Sequence, residues 1–163
     1  MTLHDSTLTT IRGDQVSLAD YRDTVTLIVN TASRCGLTPQ YAQLEDLQRT
    51  YGPRGFAVLG FPSDDFQQEL GTREEIETFC STTYGVTFPM FDKVAVNGAA
   101  RHPLFDELTR VPDADGEAGD VRWNFEKFLV TPDGAVHRFR SGVEPRDPQI
   151  VDLIEASLPQ RPS

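Results

Sequence analysis

The chain has 163 residues and carries 15 Lys and Arg against 25 Asp and Glu, a formal charge of −10 with His neutral. That length fits a single domain, residues 1–163, with a core that needs neither disulfide nor metal. The composition, 38% apolar with 10 Phe, excludes a disordered or collagen-like chain.

The acidic excess argues against nucleic acid as a partner, because phosphates call for clustered Lys and Arg. The densest basic stretch, Arg138-Phe139-Arg140, is too short for that. No apolar run approaches the roughly 20 residues of a membrane span. Met1-Thr2-Leu3-His4-Asp5 has neither the basic nor the apolar segment of a signal peptide, so the expected location is cytoplasmic. In such a compartment Cys35 and Cys80 read as catalytic or redox residues and not as a structural bridge. No metal is expected, since their spacing matches no zinc knuckle and His4, His102 and His137 stand at unrelated positions.

Val25-Thr26-Leu27-Ile28-Val29-Asn30 is a β-rich apolar run of the kind buried on both faces of a sheet, ending just before Cys35. Gln40–Thr50 follows with Tyr41, Leu44 and Leu47 at helical spacing, and Tyr51-Gly52-Pro53 ends it. Phe56–Phe61 is a second buried strand, stopped by Pro62. Thr72-Arg73-Glu74-Glu75 has capping-box form and opens a helix with Ile76, Phe79 and Cys80 on one face, closed by Gly85. A third strand is expected over Phe88–Val96, before the turn pair Asn97-Gly98, and a short helix from Pro103 to Leu108. Trp123–Val130 and Val136–Phe139 flank Thr131-Pro132-Asp133-Gly134 as a hairpin, and Asp147–Leu158 closes as a helix. Flexible segments are expected at Pro112–Asp120 and from Pro159 onward. The order β-α-β-α-β-α-β-β-α predicts an α/β, thioredoxin-like fold, a central mixed sheet with helices on both faces.

Cys35 falls between a buried strand and a helix, where unpaired N–H groups and the helix dipole favour a thiolate; Arg34 adds positive potential. A buried, inert cysteine fits the position equally well. The dithiol Cys-x-x-Cys is absent, since the local sequence is Cys35-Gly36-Leu37-Thr38.

Val29-Asn30-Thr31-Ala32-Ser33-Arg34-Cys35-Gly36-Leu37-Thr38 resembles the peroxidatic-cysteine motif of the glutathione peroxidase family. Further blocks in the same order resemble the family's other signatures: Leu59-Gly60-Phe61-Pro62, Phe88-Pro89-Met90-Phe91 with Val96-Asn97-Gly98, and Trp123–Leu129. The resemblance runs from about Val25 to the C-terminal helix, with Cys35 where other members carry selenocysteine. It implies that Gln68, Trp123 and Asn124 surround the sulfur, as neutral donors that stabilise a thiolate and then the alkoxide leaving from a peroxide. Without the family blocks, Trp123 reads as core packing and the two amides as loop polarity. Adjacent residues of a strand point to opposite faces, so Trp123 and Asn124 reach one sulfur only if the backbone bends. Gln67 or Gln68 could be the catalytic amide; Gln68 is preferred because Glu69 follows it. The family usually has Cys-Asn-Gln where this chain has Ser63-Asp64-Asp65.

The context of Cys80 resembles that of the resolving cysteine in members recycled by thioredoxin. The implied cycle converts a hydroperoxide to an alcohol at Cys35, leaves a sulfenic acid, and closes a Cys35–Cys80 disulfide for thioredoxin to reduce. The rivals are a glutathione-dependent peroxidase with a structural Cys80, a peroxide sensor or redox relay, and a dead binding module. No cofactor is implied. The loop Thr109–Arg122 lacks the segment that tetrameric members use for assembly, so a monomer is expected.

Overall fold

In the computed structural model residues 5–159 are described; His4 and the end of the tail, 160–163, lie outside them. The chain opens in a short antiparallel hairpin, β1 (Thr7–Thr9) and β2 (Gln15–Ser17). Sequence periodicity had given no sign of it, because three-residue strands cannot display an alternation. A four-stranded sheet follows: β3 (Val25–Thr31), β4 (Phe56–Pro62), β5 (Lys127–Val130) and β6 (Val136–Phe139), in the order β4-β3-β5-β6. β3 and β4 are parallel, with Val25 opposite Phe56 and Thr31 opposite Pro62, while β5 runs antiparallel to both β3 and β6.

All seven residues of β3 and of β4 are buried, because the sheet is covered on both faces. Val25, Leu27 and Val29 pack with Leu44 and Leu47 of α1 (Gln40–Tyr51), Ile76 of α2 (Arg73–Thr83), and Ile150 and Ile154 of α4 (Pro148–Ser157). Ile28 points the other way, with Leu59, Phe61 and Phe128, against Leu104, Phe105 and Leu108 of α3 (Pro103–Leu108). The result is the thioredoxin-like α/β arrangement, a mixed sheet with helices on both faces.

The helix ends lie where the capping residues put them. Thr72 Oγ1 accepts from Glu75 N at 3.1 Å and the Glu75 carboxylate accepts from Thr72 N at 3.2 Å, the reciprocal bonds of a capping box. Asp147 caps α4 by accepting from Gln149 N, and Gly85 leaves α2 at φ +60°.

Two expected strands are corrected. Phe88–Val96 is not a regular strand: Pro89 has no N–H, and the donors that remain divide between neighbours. Phe91 N donates to Gly60 O and Asp92 N to Thr9 O, leaving single bridges from Met90 to Gly60 and from Phe91 to Thr10. Strand pairing in Trp123–Val130 begins only at Lys127, since 123–125 is a turn with Phe125 in the left-handed region at φ +64°. The loop 112–120, expected to be flexible, is tethered. Arg138, fully buried against Glu126, donates to the carbonyls of Thr109, Val111 and Gly119, and Arg140 pairs with Asp113 and Glu126. The basic stretch noted in the sequence thus spends its charge inside the protein.

Candidate active site

Cys35 sits in the loop that carries the chain from the C-terminal end of β3 to α1, and it is 7% exposed. Its geometry is set by Thr38, whose hydroxyl donates to Ala32 O at 2.8 Å and accepts from Cys35 N at 2.9 Å, while Thr38 N donates to Cys35 O. This tight turn brings Leu37 N to 3.3 Å from Cys35 Sγ, so a backbone N–H donates to the sulfur. Helix α1 begins five residues beyond Cys35, and Gln40, Tyr41 and Ala42 donate to carbonyls three residues back. The donor at the sulfur therefore comes from the turn ahead of the helix. Arg34 is exposed.

The segment after β4 is laid alongside this loop. Arg34 N donates to Gln68 O at 2.8 Å, and Ser33 N donates to Glu69 Oε1 at 3.1 Å. Gln67 turns out to solvent with φ +60°, whereas Gln68 is half-buried and accepts at Oε1 from Asn124 Nδ2 at 3.1 Å. Of the two glutamines, Gln68 is the one placed with Asn124. Asn124 is fully buried, and Trp123, 38% exposed, leans on Phe66 with ring centroids 5.2 Å apart.

The bend that Trp123 and Asn124 require is made by Asn30 in β3. Its Nδ2 donates to Trp123 O at 3.0 Å, its Oδ1 accepts from Glu126 N at 3.0 Å, and its backbone O accepts from Phe125 N at 2.6 Å. From below, Lys127 Nζ donates to Phe125 O at 2.6 Å and to Ser141 O at 3.1 Å. Burial lowers the Lys127 ammonium to about 7. A neutral amine has two N–H groups, matching these two acceptors.

Cys80 lies near the end of α2, 2% exposed, and both cysteines are free thiols. Burial pushes the Cys80 thiol up to about 11, partly offset by the nearby Tyr41 hydroxyl. A cleft of about 560 Å³ between the N-terminal hairpin and α2 has Cys80 in its lining, beside the Arg12–Glu77 ion pair.

The contributions of Asn30, Thr38 and Glu69 were missed in the sequence, although an Asn inside an otherwise apolar strand was a signal for a buried polar clamp. No group of three His, Cys, Asp or Glu side chains among the described residues is placed to hold a metal ion.

A loop cysteine at the end of a central strand, with a backbone donor on its sulfur, is an arrangement suited to thiol chemistry, and it stands on a thioredoxin-like fold. Three comparisons specify it further. The glutathione peroxidase family model matches residues 3–109. The Thioredoxin/glutathione peroxidase BtuE of Escherichia coli (strain K12) is 46% identical, covering 96% of this chain and 99% of that protein. The Hydroperoxy fatty acid reductase gpx1 of Synechocystis sp. is 48% identical over 88% of this chain and 89% of its own. Among solved structures, Trgpx in apo form superposes with a TM-score of 0.76 at 35% identity, covering 96% of this chain and 95% of that one. The chain belongs to the glutathione peroxidase family, and it is a peroxidase, an oxidoreductase that uses peroxide as acceptor.

Proposed function

We propose that the protein reduces hydrogen peroxide and organic hydroperoxides through Cys35, with Gln68, Trp123 and Asn124 as the donors around the reacting atoms. The Cys35 thiolate attacks the distal peroxide oxygen; the O–O bond breaks, the alkoxide leaves and takes a proton, and the sulfur becomes a sulfenic acid. Neutral amide and indole N–H groups suit this step, since they stabilise negative charge without competing as nucleophiles. The observation that carries the reading is the linkage of the Cys35 loop to Gln68, and of Gln68 to Asn124, through two hydrogen bonds.

Cys80 is the resolving thiol in this reading, and thioredoxin the reductant. Support comes from the free, paired-number thiols and from the E. coli relative, whose name couples thioredoxin with glutathione peroxidase. Closing the disulfide needs Cα atoms about 4.4–6.8 Å apart, and this reading has α2 open locally around Cys80 to reach that geometry during turnover. The same reading has the protein work as a one-domain monomer in the cytoplasm. Among the described residues no helix is long and apolar enough to cross a membrane.

A Cys80→Ser variant tests the assignment. Loss of thioredoxin-driven turnover with peroxide attack on Cys35 retained supports it. Full activity with thioredoxin, or with glutathione alone, would sink it.

A further inference from the structure

Three buried groups, Glu69, Tyr41 and Thr31, each keep a side-chain oxygen without a hydrogen-bond partner among the described residues. Glu69 is 8% exposed; its Oε1 accepts from Ser33 N and from Leu70 N at 2.8 Å, while Oε2 has no hydrogen-bond partner among the described residues. Tyr41, on α1, is fully buried. Its hydroxyl faces the Cys80 thiol and the Thr31 hydroxyl without a hydrogen bond of normal geometry to either, and Glu69 lies close enough to act on both Tyr41 and Cys80. An unpaired buried carboxylate oxygen is costly, so its retention calls for a use.

Resolution supplies one. Cys80 must lose its proton before it can attack a sulfenic acid, and burial makes that thiol a poor acid at neutral pH. Of the two carboxylates whose charge acts on Cys80, Glu77 is paired to Arg12 and Glu69 is the buried one; burial shifts Glu69 upward, making it a stronger base than an exposed Glu.

We propose that Glu69, working with the Tyr41 hydroxyl, is the proton acceptor for the Cys80 thiol in disulfide formation. This rests on the resolving role given to Cys80 above. The proton passes from Cys80 to the Glu69 carboxylate. The Cys80 thiolate attacks the Cys35 sulfur, the S–S bond forms as the S–O bond breaks, and the departing hydroxide takes the proton from Glu69 to leave as water. The Cys80 sulfur is oxidised and the Cys35 sulfur reduced. A thiolate is also poorly tolerated where Cys80 is buried, which favours its movement out of α2 toward Cys35.

The groups that set the pH dependence are few. Tyr41 from α1, Glu69 from the loop after β4 and Glu77 from α2 face Cys80, with Glu77 paired to Arg12 at 2.6 Å. Ser33 and Lys93 face Glu69. The test is rapid-mixing kinetics after one equivalent of hydrogen peroxide, reading sulfenic acid and disulfide separately by quench and intact mass, from pH 5 to 9. Wild-type disulfide formation should rise through a titration displaced upward from an ordinary Glu and level off by pH 8. Glu69→Gln keeps an Oε1 acceptor for Ser33 N and Leu70 N, so the loop stays braced. It should slow disulfide formation by about 10²-fold at pH 7, far more than peroxide attack, with a rate that climbs tenfold per pH unit. Tyr41→Phe should slow the same step. A Glu69→Gln disulfide rate within twofold of wild type overturns the proposal. So does a wild-type rate that rises tenfold per unit throughout pH 6–9, which requires no variant. A wild type that gains one oxygen while Cys80 stays a free thiol overturns the resolving role itself, and the proposal with it.

Discussion

Asn124 donates from Nδ2 to Gln68 Oε1 at 3.1 Å, across 56 positions of sequence. The bond has a direction. With its oxygen occupied, the Gln68 amide has its two N–H groups left for another acceptor, which in the proposed site is the sulfur or the peroxide oxygen. Gln68→Ala should therefore lower kcat/KM for peroxide by about 10²–10³, the cost of one preorganised donor. Gln67→Ala, at a solvent-facing turn, should leave it within about twofold. Steady-state peroxide consumption by the two variants settles which glutamine acts, and a larger effect at Gln67 would reverse the assignment.

Asn30, in β3, is the clamp behind that bond. It engages Trp123 O, Phe125 N and Glu126 N at once, and its side chain contributes two of these contacts. Asn30→Leu would keep the volume and leave Trp123 O and Glu126 N without their partner, at about 1–3 kcal/mol for each unmatched buried group. Both a lower midpoint in urea and a fall in peroxide kcat/KM are expected. A loss of stability with unchanged kcat/KM would show that the 123–126 turn does not need this clamp to hold the site.

Lys127 predicts the sign of a pH effect on stability. Its ammonium falls from 10.5 to about 7 on folding. Below pH 7 both states hold the proton, and between 7 and 10.5 the unfolded chain holds it while the folded protein does not. Stability therefore rises with pH across that window, by at most about 1.4 kcal/mol per unit. Cys80 acts oppositely in a higher window, since its thiol rises from 9 to about 11 and the folded state holds the extra proton there. Denaturant midpoints at pH 7, 8 and 9 should climb relative to Lys127→Met, whose own midpoints lack this contribution; parallel curves would contradict it.

Glu126 pairs with two arginines, Arg138 and Arg140, with Arg138 fully buried and Arg140 shared with Asp113. Removing one partner leaves charge unpaired in low dielectric, so Glu126→Gln should cost about 3–5 kcal/mol in urea unfolding. The loop that Arg138 holds by the carbonyls of Thr109, Val111 and Gly119 should become more open to limited proteolysis.

The parts of this architecture that depend on local pattern were legible. β3 and β4 are continuous apolar runs, α1 and α3 follow periodicity and proline placement, and the Thr72–Glu75 box marks the start of α2. What depends on partners distant in sequence was not. Phe88–Val96 has strand composition, yet Pro89 and the division of its donors between Gly60 and Thr9 reduce it to bridges. Trp123–Phe125 carries the residues of a strand start, but Asn30 holds it in a turn with Phe125 at φ +64°. In the candidate site, the place of Cys35 between a strand and a helix was legible, while that position alone fitted an inert cysteine equally well. Gln68 could not be separated from Gln67 by spacing, and Glu69 was only a neighbour until its burial and its bond from Ser33 N were known.

In the proposed cycle Cys35 reacts with peroxide and Cys80 completes the turnover. This cycle is tested most directly by adding one equivalent of hydroperoxide to the fully reduced protein, then titrating thiols and measuring intact mass. Both thiols should disappear, the mass should fall by two hydrogens, and peptide mapping should join Cys35 to Cys80. Two thiols still titrating, or a stable oxygen adduct on Cys35 beside a free Cys80, would contradict it.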